Sequence, residues 1–283
     1  MVVESLLFAK KAEQKPWKMI FIGFLYSSIA ILLSFWIFRD QASLVMVFLI
    51  VMAAVPLTYK AMQFEESKDM IIDSETALLK EHNKAVTFFM FLFLGITISS
   101  VMWYIFLPSD YAGILFERQT ATIQSINKNF SGNAVSNLSH FGKIFLNNSK
   151  VLLFSVLFAF VYSAGAIFIL TWNATVIGTA IGNFIRVNLS EYSSSLGFFG
   201  AGGYFHVFSL GILKYSIHGV PEIFAYFYGG LAGGILSAAI IKKHFNTPRF
   251  DHIMADFFEL LLISVAFLIV AGFLEVYVTP VFF

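Results

Sequence analysis

The sequence predicts an all-α fold, a polytopic transmembrane helix bundle. Three observations carry that expectation. Of the 283 residues, 58% are hydrophobic and only 12% are charged, against about 25% charged in a soluble domain. Mean hydropathy is +0.80, and a soluble fold of this size has too little interior to hide so much apolar surface. Apolar runs of about 20 residues, the length that crosses a hydrocarbon layer ~30 Å thick, recur along the whole chain.

The first twelve residues set Leu6, Leu7 and Phe8 against Glu4, Lys10 and Lys11. This short amphipathic stretch is not expected to be a signal peptide, because the first long apolar run starts only at Trp17 and no small-residue cleavage site follows it. Seven spans are expected, at 17–38, 42–59, 85–107, 151–170, 198–217, 220–241 and 255–276. None carries an acidic or basic residue at its centre. Trp17, Tyr59, Trp103, Tyr104 and Tyr277 fall near span ends, where amphipathic rings prefer the interface. An eighth segment, 171–187, holds Asn173, Thr175, Thr179 and Asn183 with Gly178 and Gly182. It is short and polar for a span, and is expected to be a re-entrant or interfacial piece buried in protein.

Lysine and arginine set the orientation. With a cytoplasmic N-terminus the inner set is Lys10, Lys11, Lys15, Lys18, Lys60, Lys68, Lys80, Lys84, Arg186, Lys242, Lys243 and Arg249. The outer set is Arg39, Arg118, Lys128, Lys143, Lys150 and Lys214. Twelve against six favours N-in and C-out. The chain reads as one integral membrane domain, 1–283, with a cytoplasmic loop at 60–84 and an external loop at 108–150. The first loop is expected to be helical from the spacing of Met70, Ile71, Leu78 and Leu79. The second is expected to hold two amphipathic helices, one with Ile114, Leu115, Ile123 and Ile126, the other with Leu138, Phe141, Ile144 and Phe145. Three sequons, at Asn129, Asn137 and Asn147, are compatible with an outer location.

The chain has no cysteine, which excludes disulfides, thiol catalysis and zinc–thiolate sites. A net charge of +1 gives no sign of a nucleic-acid partner. No cofactor motif is present, and no H-E-x-x-H spacing marks a metal site.

The stretch His218-Gly219-Val220-Pro221-Glu222 interrupts some forty apolar residues. Pro221 fits the first turn of a new helix better than the interior of an old one. A tight outer hairpin is therefore expected here, with Glu222 in the first turn of its second helix, where the macrodipole favours a carboxylate. Glu275 lies near the outer end of the last span, and His206 about three turns before His218. His206, His218, Glu222 and Glu275 could share one polar cluster, as a proton relay, metal site or ligand pocket. The plainer reading makes Glu222 a cap, pairs Glu275 with Lys214 and gives His206 one buried hydrogen bond. Gly229, Gly230, Gly233 and Gly234 form small-xxx-small ladders, which pack helices closely within one chain or across a homodimer. Glu81-His82-Asn83-Lys84 reads as the solvated start of the third span, or else as a docking site.

The order of several stretches resembles the stage II sporulation protein M family of integral membrane proteins, particularly its archaeal branch. They are Glu4-Ser-Leu-Leu, Lys15-Pro-Trp17, Leu79-Lys-Glu-His82, Asn147-Asn148 and Asn173-Ala-Thr-Val-Ile-Gly178, then His218 to Glu222, Gly229-Gly-Leu-Ala-Gly233 and Gly272-Phe-Leu-Glu-Val-Tyr-Val-Thr-Pro280. The resemblance implies a multi-pass cell-membrane protein without catalysis of its own. In spore formers such a protein holds two peptidoglycan-degrading partners during engulfment; archaeal relatives lack that peptidoglycan. A scaffold binding protein partners through 60–84 and 108–150 is the expected function. A permease using broken helices, and an intramembrane metal enzyme using His206, His218 and Glu222, are the alternatives.

Overall fold

Backbone polar groups cannot stay unpaired in hydrocarbon, so an apolar chain of this length is driven to satisfy them within helices. The computed structural model describes residues 15–69, 71–72, 74–130, 137–162, 164–196, 201–243 and 250–282. Among them every regular element is helical. The amphipathic stretch at 1–12, Met70 and Arg249 lie outside the described residues.

The helices are α1 Lys18–Ile37, α2 Ala42–Asp69, α3 Glu75–Phe106, α4 Ser109–Leu115, α5 Glu117–Phe130 and α6 Asn137–Tyr162. They continue with α7 Ala166–Leu196, α8 Ala201–Ile241, α9 Phe250–Phe273 and α10 Thr279–Phe282. A π-helical turn, Leu274–Val278, joins α9 to α10. Seven of these are long and apolar enough to cross a membrane: α1, α2, α3, α6, α7, α8, and α9 with its extension. In α8, 89% of the most apolar stretch is buried, against 28% in α1, α6 and α9. That contrast makes α8 the central post. It packs on α2, α6, α7 and α9, while α1 packs on the far side of α3. Ile29, Leu32, Phe48, Leu153 and Leu262 lie exposed on the outside of the bundle, as side chains facing lipid would.

The count of seven matches the expectation, but its composition does not. Residues 198–217 and 220–241 are not two spans with a hairpin between them. From Ala201 to Ile241 they are one helix, with Pro221 inside it. Proline removes a single N–H bond, and packing on both flanks holds the rod together, as it does around Pro56 in α2. The segment 171–187 is likewise no re-entrant piece. It is the middle of α7, a continuous 31-residue helix. The preceding helix stops at Tyr162, eight residues before the predicted end, because the chain turns at Ala164 and Gly165. A Cβ on Gly165 would strike the backbone of Phe158, so only glycine allows so tight a return.

The expected loop 60–84 is mostly the facing ends of α2 and α3. The expected loop 108–150 divides into α4, α5 and the first turns of α6, so the second amphipathic helix is continuous with a span.

Candidate functional site

The unbroken α8 still carries His218 and Glu222 on its cavity-facing side, with Tyr226 buried one turn further on. The sharp element is the π-helical turn on the neighbouring helix. Pro280 has no N–H to give to a carbonyl one turn back, and the wider turn just before it carries Glu275. Glu222 and Glu275 line one cavity of about 510 Å³, together with His218 and Tyr215 of α8, Trp172 and Asn173 of α7, Asn147 and Asn148 of α6, and Thr122 and Ser125 of α5.

The hydrogen bonds fix several roles. Tyr226, 1% exposed, donates its hydroxyl to Glu222 Oε1 at 2.6 Å. Thr279 donates its hydroxyl to the Leu274 carbonyl at 3.1 Å, the same carbonyl that accepts the Thr279 backbone N–H across the five residues of the π turn. Its lone pairs then face His218 Nδ1 at 3.3 Å. With the threonine proton already committed, His218 Nδ1 is the donor of that pair, and its Nε2 is the acceptor. Asn173 sends Nδ2 back to the Ile169 carbonyl at 2.8 Å, leaving its own oxygen available.

Three of the four predicted cluster residues thus share one neighbourhood. His206 does not: it is exposed and lies outside the cavity lining. Glu222 is no helix cap, because the helix does not begin there. Lys214 sits over the Phe184 ring at 5.2 Å and not against Glu275. Among the described residues no group of three or more His, Asp and Glu side chains is arranged to hold a metal ion. The sequence signals that could have found Asn147, Asn148, Trp172 and Asn173 were there, as an Asn pair and a Trp-Asn pair in apolar surroundings.

A second polar assembly lies where α2 ends and α3 begins. Glu65 and Glu66 are fully buried and His82 is 1% exposed. Glu65 Oε2 meets His82 Nδ1 at 2.9 Å, and Glu65 Oε1 accepts from Lys68 Nζ at 2.6 Å. Lys68 also lies 3.6 Å from Glu81, which Lys84 bridges. Lys242, just past the end of α8, pairs with Glu66, and Tyr228 donates to Asn83. The expected solvated start of the third span is therefore divided. Glu81 and Lys84 face outward, while His82 is sewn into a network joining α2 and α3. Glu65 and Glu66 went unremarked in the sequence because their partners are remote in it.

The glycines of α8 have specific neighbours. A Cβ on Gly229 would meet Leu152 and, at 3.2 Å, Val156 of α6. One on Gly233 would lie 2.5 Å from the Val156 carbonyl and 3.2 Å from the Phe160 nitrogen. Gly230 faces Ala166 at the start of α7, 2.8 Å from its Cβ. Gly234 is buried on the same helix. These faces are thus occupied within the chain.

The stage II sporulation protein M family model matches residues 42–280. No curated protein and no solved structure gives a match.

Proposed function

This chain belongs to the stage II sporulation protein M family, and we propose on that premise that it is a scaffold organising partner proteins during cell-envelope remodelling or division. Family membership makes it a non-enzymatic, multi-pass membrane protein. The family match across most of the chain is the observation that carries the scaffold reading. The archaeal branch is part of the same proposal and rests on the motif resemblance alone; the sporulation role is not carried over with it. We place the N-terminus in the cytoplasm and the C-terminus outside, with partners engaging α4, α5 and the α2–α3 connection. Lipid is the other partner. A homodimer would need a face other than the Gly229/Gly233 ladder.

The test is cross-linking in native membranes followed by purification of the full chain. A scaffold brings down a protein in fixed stoichiometry, and charge reversal on exposed α5 positions such as Arg118 releases it. Recovery of the chain alone, from membranes where it is active in the cell, would remove this reading. A transport role is the second reading, and the cavity holding Glu222 and Glu275 favours it. The expected broken helices are continuous, so this reading rests on the cavity alone.

A further inference from the structure

We propose that the cavity between α5, α6, α7, α8 and the π turn is a binding site for an alkylammonium group. This does not depend on the scaffold reading. A volume of about 510 Å³ falls within the ~300–1,000 Å³ of small-molecule sites, and exceeds what one ion or a few waters need. Two carboxylates from different helices line it, and no lysine or arginine does. Glu222 spends one oxygen on Tyr226. Glu275 makes no hydrogen bond or ion pair with another described residue.

The second observation is Asn148. It lines the cavity and is only 6% exposed. Its single hydrogen bond is a long one, 3.5 Å, received at Oδ1 from Asn147. Its amide nitrogen donates to nothing among the described residues. That nitrogen opens onto the cavity, where it calls for an acceptor.

The remaining polar atoms define the ligand. The oxygens of Glu222 and Glu275, Nε2 of His218 and the oxygen of Asn173 accept, and the Tyr215 hydroxyl joins Asn148 as a donor. A complementary ligand is therefore cationic and carries several N–H bonds. Trp172 adds an aromatic wall of the kind that attracts cations. A metal ion fits less well, because the acidic groups and His218 do not converge as ligands. The Asn148 donor asks for an acceptor oxygen on the same molecule. Ammonium with a nearby oxygen is the chemistry of an aminophospholipid head group and equally of a free amino alcohol. Half-exposed Phe154 forms part of the wall, so the cavity borders the outer surface of α6.

The experiment uses the full chain in nanodiscs of phosphatidylglycerol, with thermal unfolding and native mass spectrometry as readouts. Ethanolamine is titrated in, with choline as the control of the same charge but no N–H. A parallel set of discs contains phosphatidylethanolamine. A melting shift with ethanolamine assigns a soluble amine. A shift and a retained lipid only with phosphatidylethanolamine assign a head group. In either case Glu275→Gln should weaken the response about tenfold or more, as loss of a charge-assisted pair does, and Glu275→Asp should keep most of it. The comparison of ethanolamine with choline needs no variant and stands even if the glutamine form misfolds. Equal responses to ethanolamine and choline, no response to either amine source, or an unchanged response in folded Glu275→Gln would each overturn the proposal.

Discussion

Glu65 shows how much a single buried group can hold. Its two oxygens take His82 and Lys68, so it ties the end of one span to the start of the next. Replacing it by glutamine leaves two buried donors facing a neutral amide. Breaking one partner of a buried pair costs ~3–5 kcal/mol, and Glu65→Gln should lower unfolding stability in mixed micelles by about 3 kcal/mol. Lys84 is half exposed and its partner Glu81 lies three residues earlier; Lys84→Ala should change stability by no more than about 0.5 kcal/mol. Equal losses for the two would show that the burial contrast does not govern the network. Arg186 is a second such residue. Its guanidinium donates to the Tyr104 carbonyl at 3.2 Å and to the Leu107 carbonyl at 2.6 Å, capping the last turn of α3. Arg186→Ala should cost about 2 kcal/mol, measured in the same way. Neither role was legible from sequence. A polar residue near a span end looks the same whether it meets water or a partner seventeen or eighty residues away.

Among the helices, the plainly apolar ones were legible and α7 was not. The physical reason is where its polar side chains go. Thr171, Thr175 and Thr179 are fully buried. Thr175 and Thr179 hydrogen-bond back to the Trp172 and Thr175 carbonyls, and the Thr175 oxygen also accepts from Gln119 of α5, so their polarity is met inside the protein. Gly178 and Gly182, which suggested a broken segment, are contact points: a Cβ would lie 2.6 Å from Ser100 Cβ and 2.9 Å from Tyr104 Cβ of α3. Polarity and glycine mark a helix surrounded by protein as readily as one that fails to cross. The α6–α8 contact gives a direct test. Gly233→Ala places a methyl against backbone that cannot rotate away, and should cost about 1–3 kcal/mol. Gly142, also helical, has nothing within 4 Å of its missing Cβ, and Gly142→Ala should raise stability by about 0.5–1 kcal/mol. A harmless Gly233→Ala in thermal unfolding would mean that α6 and α8 are not in close contact.

At the scale of the molecule, two misread elements offset each other. Counting α7 among the seven candidate spans and merging two expected spans into α8 leaves their number odd, so the proposed N-in and C-out arrangement keeps the same parity. Within that proposed arrangement Arg186 moves from the inner to the outer set, since it is bound to the end of α3 that leads into α4. The pairing of Glu222 with Glu275 was expected from a hairpin that does not form; Glu222 lies midway along α8, and the packing of α9 on α8 brings the two acids to one cavity. The cavity walls were not legible, since they come from five elements. Cysteine labelling of this cysteine-free chain tests the orientation, with Ser109→Cys expected to react from outside and Lys243→Cys only after permeabilisation; the reverse pattern would overturn N-in. The length of α8 has a mechanical consequence. Forty-one residues make a rod about 60 Å long, twice the hydrocarbon thickness. One end is anchored through Lys242 to Glu66. Pro221 deletes one rung of the ladder beside the cavity, so bending stiffness is lowest there. A lateral load on the far end would be felt first as a change in the shape of that cavity, and filling the cavity would stiffen the rod against such a load.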